Sequence, residues 1–147
     1  MLLWLGPTQM VRSRPGKKTD AAYVSARLAV AKAYLKDARN SNAWADLGDL
    51  GNPSIATSIN CAIAYADAIT AKYRGEINQG DHGAVIKLLR AALGNAFPKH
   101  QETNLRALLE QKDEVQYGAR AKSRDDAARA LVWLEEFVVW AETQLMK

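Results

Sequence analysis

The segment Asn52–Gly75, NPSIATSINCAIAYADAITAKYRG, constrains the fold more than any other part of the chain. Asn52 can accept hydrogen bonds from the free amides of a first helical turn, Pro53 suits the first helical position, and Gly75 ends the run. Between these marks, Ile55, Ile59, Ala62, Ile63, Ala66, Ile69 and Tyr73 recur at helical spacing. Ala56, Ala62, Ala64, Ala66 and Ala68 leave room for a neighbour to come close. Asp67 lies beside the apolar face, where a carboxylate is costly without a partner.

Helices are predicted on either side. The first spans about Asp20 to Arg39, capped by Thr19 or Asp20, with a stripe of Tyr23, Leu28, Ala31, Leu35 and Ala38. Asn40 to Asn52 connects, with one short turn around Trp44 and Leu47. Beyond the polar loop Glu76–Gly80, Asp81 caps a third helix carrying Val85, Leu88, Leu89 and Ala92, which Gly94 ends. Pro98 opens a fourth. Its face of Leu105, Leu108, Leu109 and Val115 runs into the polar tip Lys112, Gln116, Tyr117, with Gly118 as the closing glycine. Ser123 with Asp126 forms a capping box for the last helix. That helix carries Ala127, Ala130, Leu131, Leu134, Phe137, Val138, Ala141 and Leu145. Trp133 and Trp140 stand seven apart on a second face, which covers another helix or a second subunit.

The expected architecture is all-α, an antiparallel bundle of four to five helices over residues 19–147, preceded by a flexible basic arm over 1–18. Apolar residues make up 48% and aromatics 7%, with alanine prominent, which favours close-packed helices over a sheet. Residues 1–52 hold eight basic and four acidic side chains, and residues 53–147 hold twelve of each. The charge excess is therefore N-terminal, much of it in Arg12, Arg14, Lys17 and Lys18, which offer an RNA or membrane-surface contact or a plain solvated tail. Met10 is an alternative start to Met1. The single cysteine, Cys61, excludes an internal disulfide and reads as core, in keeping with a cytoplasmic setting. One cysteine and two histidines supply no metal-ligand spacing, and no apolar run is long enough to span a membrane. No cofactor is expected.

From Asn52 onward the order of features resembles the HEPN domain (higher eukaryotes and prokaryotes nucleotide-binding), in its small stand-alone bacterial form. The pieces that carry the resemblance are NPSIATSINCAIAYADAITAKYRG, GDHGAVIKLLR, LRALLEQKDEVQYG and SRDDAARALVWLEEFVVWAE. The resemblance implies a helical bundle that dimerises and works with RNA or nucleotides. It also implies a toxin–antitoxin context beside a nucleotidyltransferase-type partner protein. Many such proteins are metal-independent ribonucleases whose signature is an arginine and a histidine with four to six residues between them. This chain departs from it. Gly75, Glu76 and Ile77 precede His82 at the required distance, and Leu93, Gly94 and Asn95 precede His100. Lys112 stands in the arginine's place and Gln116 near the histidine's.

Cleaving RNA through its 2′-hydroxyl needs a group that moves protons near neutrality, which histidine does and glutamine does not. Lysine still neutralises a phosphate, without the guanidinium fork. The expected function is therefore non-catalytic, with binding of RNA, a nucleotide or a partner protein. The alternatives are a ribonuclease with a relocated site around Lys112, Tyr117 and His82, and a purely structural subunit. The candidate polar site is Asp67, His82, Lys112, Gln116 and Tyr117. Each has a plainer reading. Lys112 and Asp67 form an interhelical ion pair, Gln116 and Tyr117 close a helix, and His82 is a surface histidine in a first turn capped by Asp81. His100 reads as solvated.

Overall fold

A computed structural model describes residues 17–118 and 120–147. Asp20 opens α1, Ala21–Ala43, its carboxylate accepting the Tyr23 amide at 3.0 Å. The helix runs four residues past the expected stop at Arg39 because the polar end finds partners. Asn42 donates to the Ala38 carbonyl at 2.9 Å and to Ser54 Oγ at 2.8 Å, and Ser41 donates to the same Ser54 oxygen at 2.9 Å. Ala31, Leu35 and Ala38 form its buried stripe.

The second helix, α2, spans Asn52–Arg74 and is the centre of the bundle. Its burial is nearly continuous from Ser54 to Ala71, on all sides, because its many small residues admit neighbours around it. Gly75 ends it in the left-handed region, at φ 69°, as glycine readily does. Asn52 does not cap the helix. Its amide oxygen accepts from the Lys122 amide at 2.8 Å, so the residue ties α2 to the segment before the last helix. Gly51 takes the cap position and donates to the Lys122 carbonyl at 2.8 Å. The contact is so close that an added Cβ would lie 2.1 Å from the Ser123 carbonyl oxygen.

Of the arm expected over 1–18, Arg12 and Arg14 lie outside the described residues. Lys17–Lys18 form β1, a two-residue strand pairing antiparallel with β2, Glu76–Ile77. The arm's last two residues are thus joined to the loop after α2.

Asp81 caps α3, His82–Leu93, by accepting the Ala84 amide at 3.1 Å. A 3-10 turn at Gly94–Ala96 leads to α4, Lys99–Leu109. The expected fourth helix is interrupted: a turn at Glu110–Gln111 separates α4 from the short α5, Lys112–Gln116. Between Leu109 and Val115 no large apolar side chain anchors the chain to the core, so that turn is held only locally, by the Gln111 amide on Leu108 and the Val115 amide on Gln111. Leu105, Leu108, Leu109 and Val115 are buried as the spacing indicated.

The last helix, α6, spans Arg124–Leu145 and starts in the expected capping box of Ser123 and Asp126. Its Phe137, Leu134 and Ala130 are fully buried. The architecture is an all-α bundle with one short strand pair. The first two helices run antiparallel, as the Ser41–Ser54 and Arg27–Asp67 contacts show. The central helix and α6 run the same way. Asn52 meets Lys122 at their starts, while Lys72 and Tyr73 donate to the carbonyls of Leu145 and Gln144 at their ends. The indole of Trp140 packs on Phe97, ring centroids 5.2 Å apart, and donates to the Ala96 carbonyl at 3.2 Å. It covers the link between α3 and α4, and Trp133 is half-buried against the core. No helix among the described residues is long and apolar enough to cross a membrane.

Candidate functional site

The five candidate polar residues separate into three places. Asp67 is buried in the seam between α1 and α2, where the Arg27 guanidinium meets it at 3.2 Å. The ion pair expected between Asp67 and Lys112 is not formed, because α1 supplies the cation. Burial pushes the Asp67 carboxyl up to about 6, and Arg27 opposes that push only in part.

His82 feels the charge of Lys112. His82 opens α3, Lys112 opens α5, and the cleft beside His82 is lined by Asp81, Arg106, Glu110 and Asp113 over the apolar floor of Ile86 and Leu109. Its volume is about 440 Å³. Partial burial, then the nearby Lys112 cation, holds the imidazole below its ordinary pKa, against the pull of Asp113 and Asp81. The ring is therefore neutral at pH 7. Arg106 is already engaged, donating to Glu102 at 3.0 Å. Three carboxylates on the cleft wall leave it net acidic and repel a polyphosphate backbone.

Gln116 and Tyr117 line neither place. They are exposed, Tyr117 by 80%, at the end of α5. Tyr117 is the C-cap residue, and the Gly118 amide reaches back to the Asp113 carbonyl at 3.0 Å. His100 is exposed at the start of α4. Cys61 is fully buried, its thiol pushed up to about 12 by burial, so it is not a nucleophile at neutral pH.

The surface that the spacing did not single out is the loop between α1 and α2. Trp44, Leu47 and Leu50 are exposed by 82%, 87% and 63% within seven residues. The loop carrying them is pinned. Asp49 Oδ2 accepts the Asp46 amide at 2.8 Å, and Arg124 at the start of α6 donates to the Ala45 carbonyl at 3.2 Å. A groove of about 380 Å³ opens beside it, between Trp44, Leu50, Pro53 and Arg124. A legible signal existed: three large apolar side chains, three residues apart, in a segment bounded by glycine and too short to pack as a helix. No family model matches the chain, and no curated protein is similar to it.

Proposed function

We propose that this chain is a HEPN-like helical protein that works by binding a partner protein rather than by cleaving RNA. The observation that carries the reading is the exposure of Trp44, Leu47 and Leu50 together on a loop fixed to α6. Clustered, presented apolar side chains of this size are what protein interfaces use, and leaving them in water is otherwise unfavourable. The acidic wall around His82 supports the same reading from the other side, since it disfavours an RNA backbone in the cleft that holds the histidine.

The relocated ribonuclease is the second reading, favoured by one observation: His82, neutral at pH 7, lies in the field of the Lys112 cation. Such a pair can take up a proton and hold a phosphate. Incubating purified protein with mixed RNA in EDTA separates the two. Intact RNA after long incubation supports the binding protein. Cleavage that disappears in both His82→Ala and Lys112→Ala overturns it in favour of the ribonuclease.

A further inference from the structure

We infer that the basic segment Arg12–Arg14 docks in the His82 cleft of its own chain, with its guanidinium groups against Asp81, Glu110 and Asp113. Chain direction brings the two together. Lys17 pairs with Ile77 and Lys18 with Glu76, antiparallel, so the chain before Lys17 is directed along the course that leads from β2 to α3. That course is short. The Asn78 side chain accepts the Gly80 amide at 2.9 Å and donates to the Asp81 carbonyl at 2.9 Å, which folds the start of α3 back towards the end of β2. Arg14 stands three residues before Lys17 and Arg12 five, so their backbone reaches up to roughly 10 Å and 17 Å beyond the strand pair. A cleft bounded by Asp81 and His82 lies within that reach.

Charge selects the same segment. Residues 12–18 hold four cations, Arg12, Arg14, Lys17 and Lys18, and no acid. The cleft holds the carboxylates of Asp81, Glu110 and Asp113, and none of them forms an ion pair among the described residues. The guanidinium that lines the cleft, Arg106, is taken by Glu102 at 3.0 Å and leaves them unmatched. Beneath them Ile86 and Leu109 form a buried apolar floor. An arginine side chain suits both features. Its planar fork pairs with carboxylates, and its methylene stem covers apolar surface. The cleft, about 440 Å³, has room for it. A tethered segment meets such a site at an effective concentration on the order of millimolar, so a contact too weak to hold a free peptide is still populated. Docked there, the segment closes the His82 cleft to any other basic ligand. The contact is separate from the Trp44 loop and independent of what that loop binds.

The test is paramagnetic broadening in the full-length chain. A nitroxide is attached through Ser13→Cys, and Cys61, fully buried, stays unlabelled. The expected result is loss of the amide signals of Leu109, Glu110 and Asp113, on the α4–α5 side of the cleft. Glu110→Gln with Asp113→Asn is expected to restore them. Both positions are exposed, so that variant keeps its fold, which unchanged α2 signals check. Arg12→Gln with Arg14→Gln is expected to restore the same signals from the other side of the contact. Signals that stay sharp in the nitroxide-bearing chain overturn the inference. So does broadening that persists in either charge variant, since it then owes nothing to the pairing. A mixture of isotope-labelled chain without nitroxide and unlabelled chain with it is expected to give sharp signals. Broadening in that mixture assigns the docked segment to another molecule and overturns docking within one chain.

Discussion

Arg27 and Asp67 close the seam between α1 and α2, with both the Nε and Nη2 atoms of the guanidinium donating to the same carboxylate oxygen, at 3.3 and 3.2 Å. The carboxylate is the more buried partner, its side chain 10% exposed against 28% for Arg27. Tyr23 on α1 feels the same site, its phenol held above its ordinary value by burial and by the Asp67 charge. With Arg27 as its one side-chain donor among the described residues, the buried acid remains partly uncompensated.

That imbalance makes stability depend on pH in a defined direction. Asp67 titrates near 6 in the folded chain and near 3.8 when unfolded. Between those values the folded state binds the extra proton. The stabilisation from this group is thus present below about 3.8 and is lost as pH rises to about 6. The gap corresponds to at most about 3 kcal/mol. Chemical denaturation at a series of pH values should show Asp67→Asn flattening this part of the profile relative to wild type. An unchanged slope would mean that other groups set it.

Removing the cation should be worse than removing both charges. Arg27→Met leaves a buried carboxylate unpaired and is expected to cost about 3–5 kcal/mol at neutral pH. The loss should shrink on acidification, as the carboxyl takes up its proton. The double variant Arg27→Met, Asp67→Asn should recover much of the stability at pH 7, and an additive double variant would show that the two side chains do not act as a pair.

Gly51 and Gly48 give a paired test of the joint between α2 and α6. A Cβ at position 51 would sit 2.1 Å from the Ser123 carbonyl oxygen, whereas at position 48 it meets nothing within 4 Å. Gly51→Ala should therefore destabilise by about 1–3 kcal/mol, as overpacking does, and Gly48→Ala should stay within about 0.5 kcal/mol of wild type. Thermal melts of the two proteins measure the contrast directly.

The bundle was legible in sequence where one signal sufficed. Asp20, Asp81 and Ser123 each cap the helix they precede, and Gly75 ends α2, because capping is chemistry between near neighbours in the chain. What failed depended on contacts distant in sequence. Asn52 reads as a cap, yet its side chain is taken by the Lys122 amide, 70 residues away. Asp67 reads as needing a partner, but nothing local distinguishes Arg27, 40 residues upstream, from Lys112. The break after Leu109 was hidden because Leu108 and Val115 are seven apart, a spacing that fits one helix as well as two. Of the candidate site, the start of a new helix at Lys112 follows the turn at Glu110–Gln111, which no periodicity reports.

Two of the four tryptophans, Trp140 and Trp44, differ in what they should reveal. Trp140 packs on Phe97 and on Phe137, with ring centroids 5.2 and 5.7 Å apart, and its indole donates to Ala96. Trp140→Ala should cost about 3–5 kcal/mol, the range for deleting a packed aromatic side chain, without changing any association of the folded chain. Trp44 is 82% exposed, so Trp44→Ala should leave the stability of the monomer within about 0.5 kcal/mol of wild type. Its loss should be felt only where the protein meets a partner. Denaturation midpoints and solution mass, measured on both variants, place the two residues. A Trp140→Ala chain that is as stable as wild type but has lost its oligomeric state would move the interface onto α6.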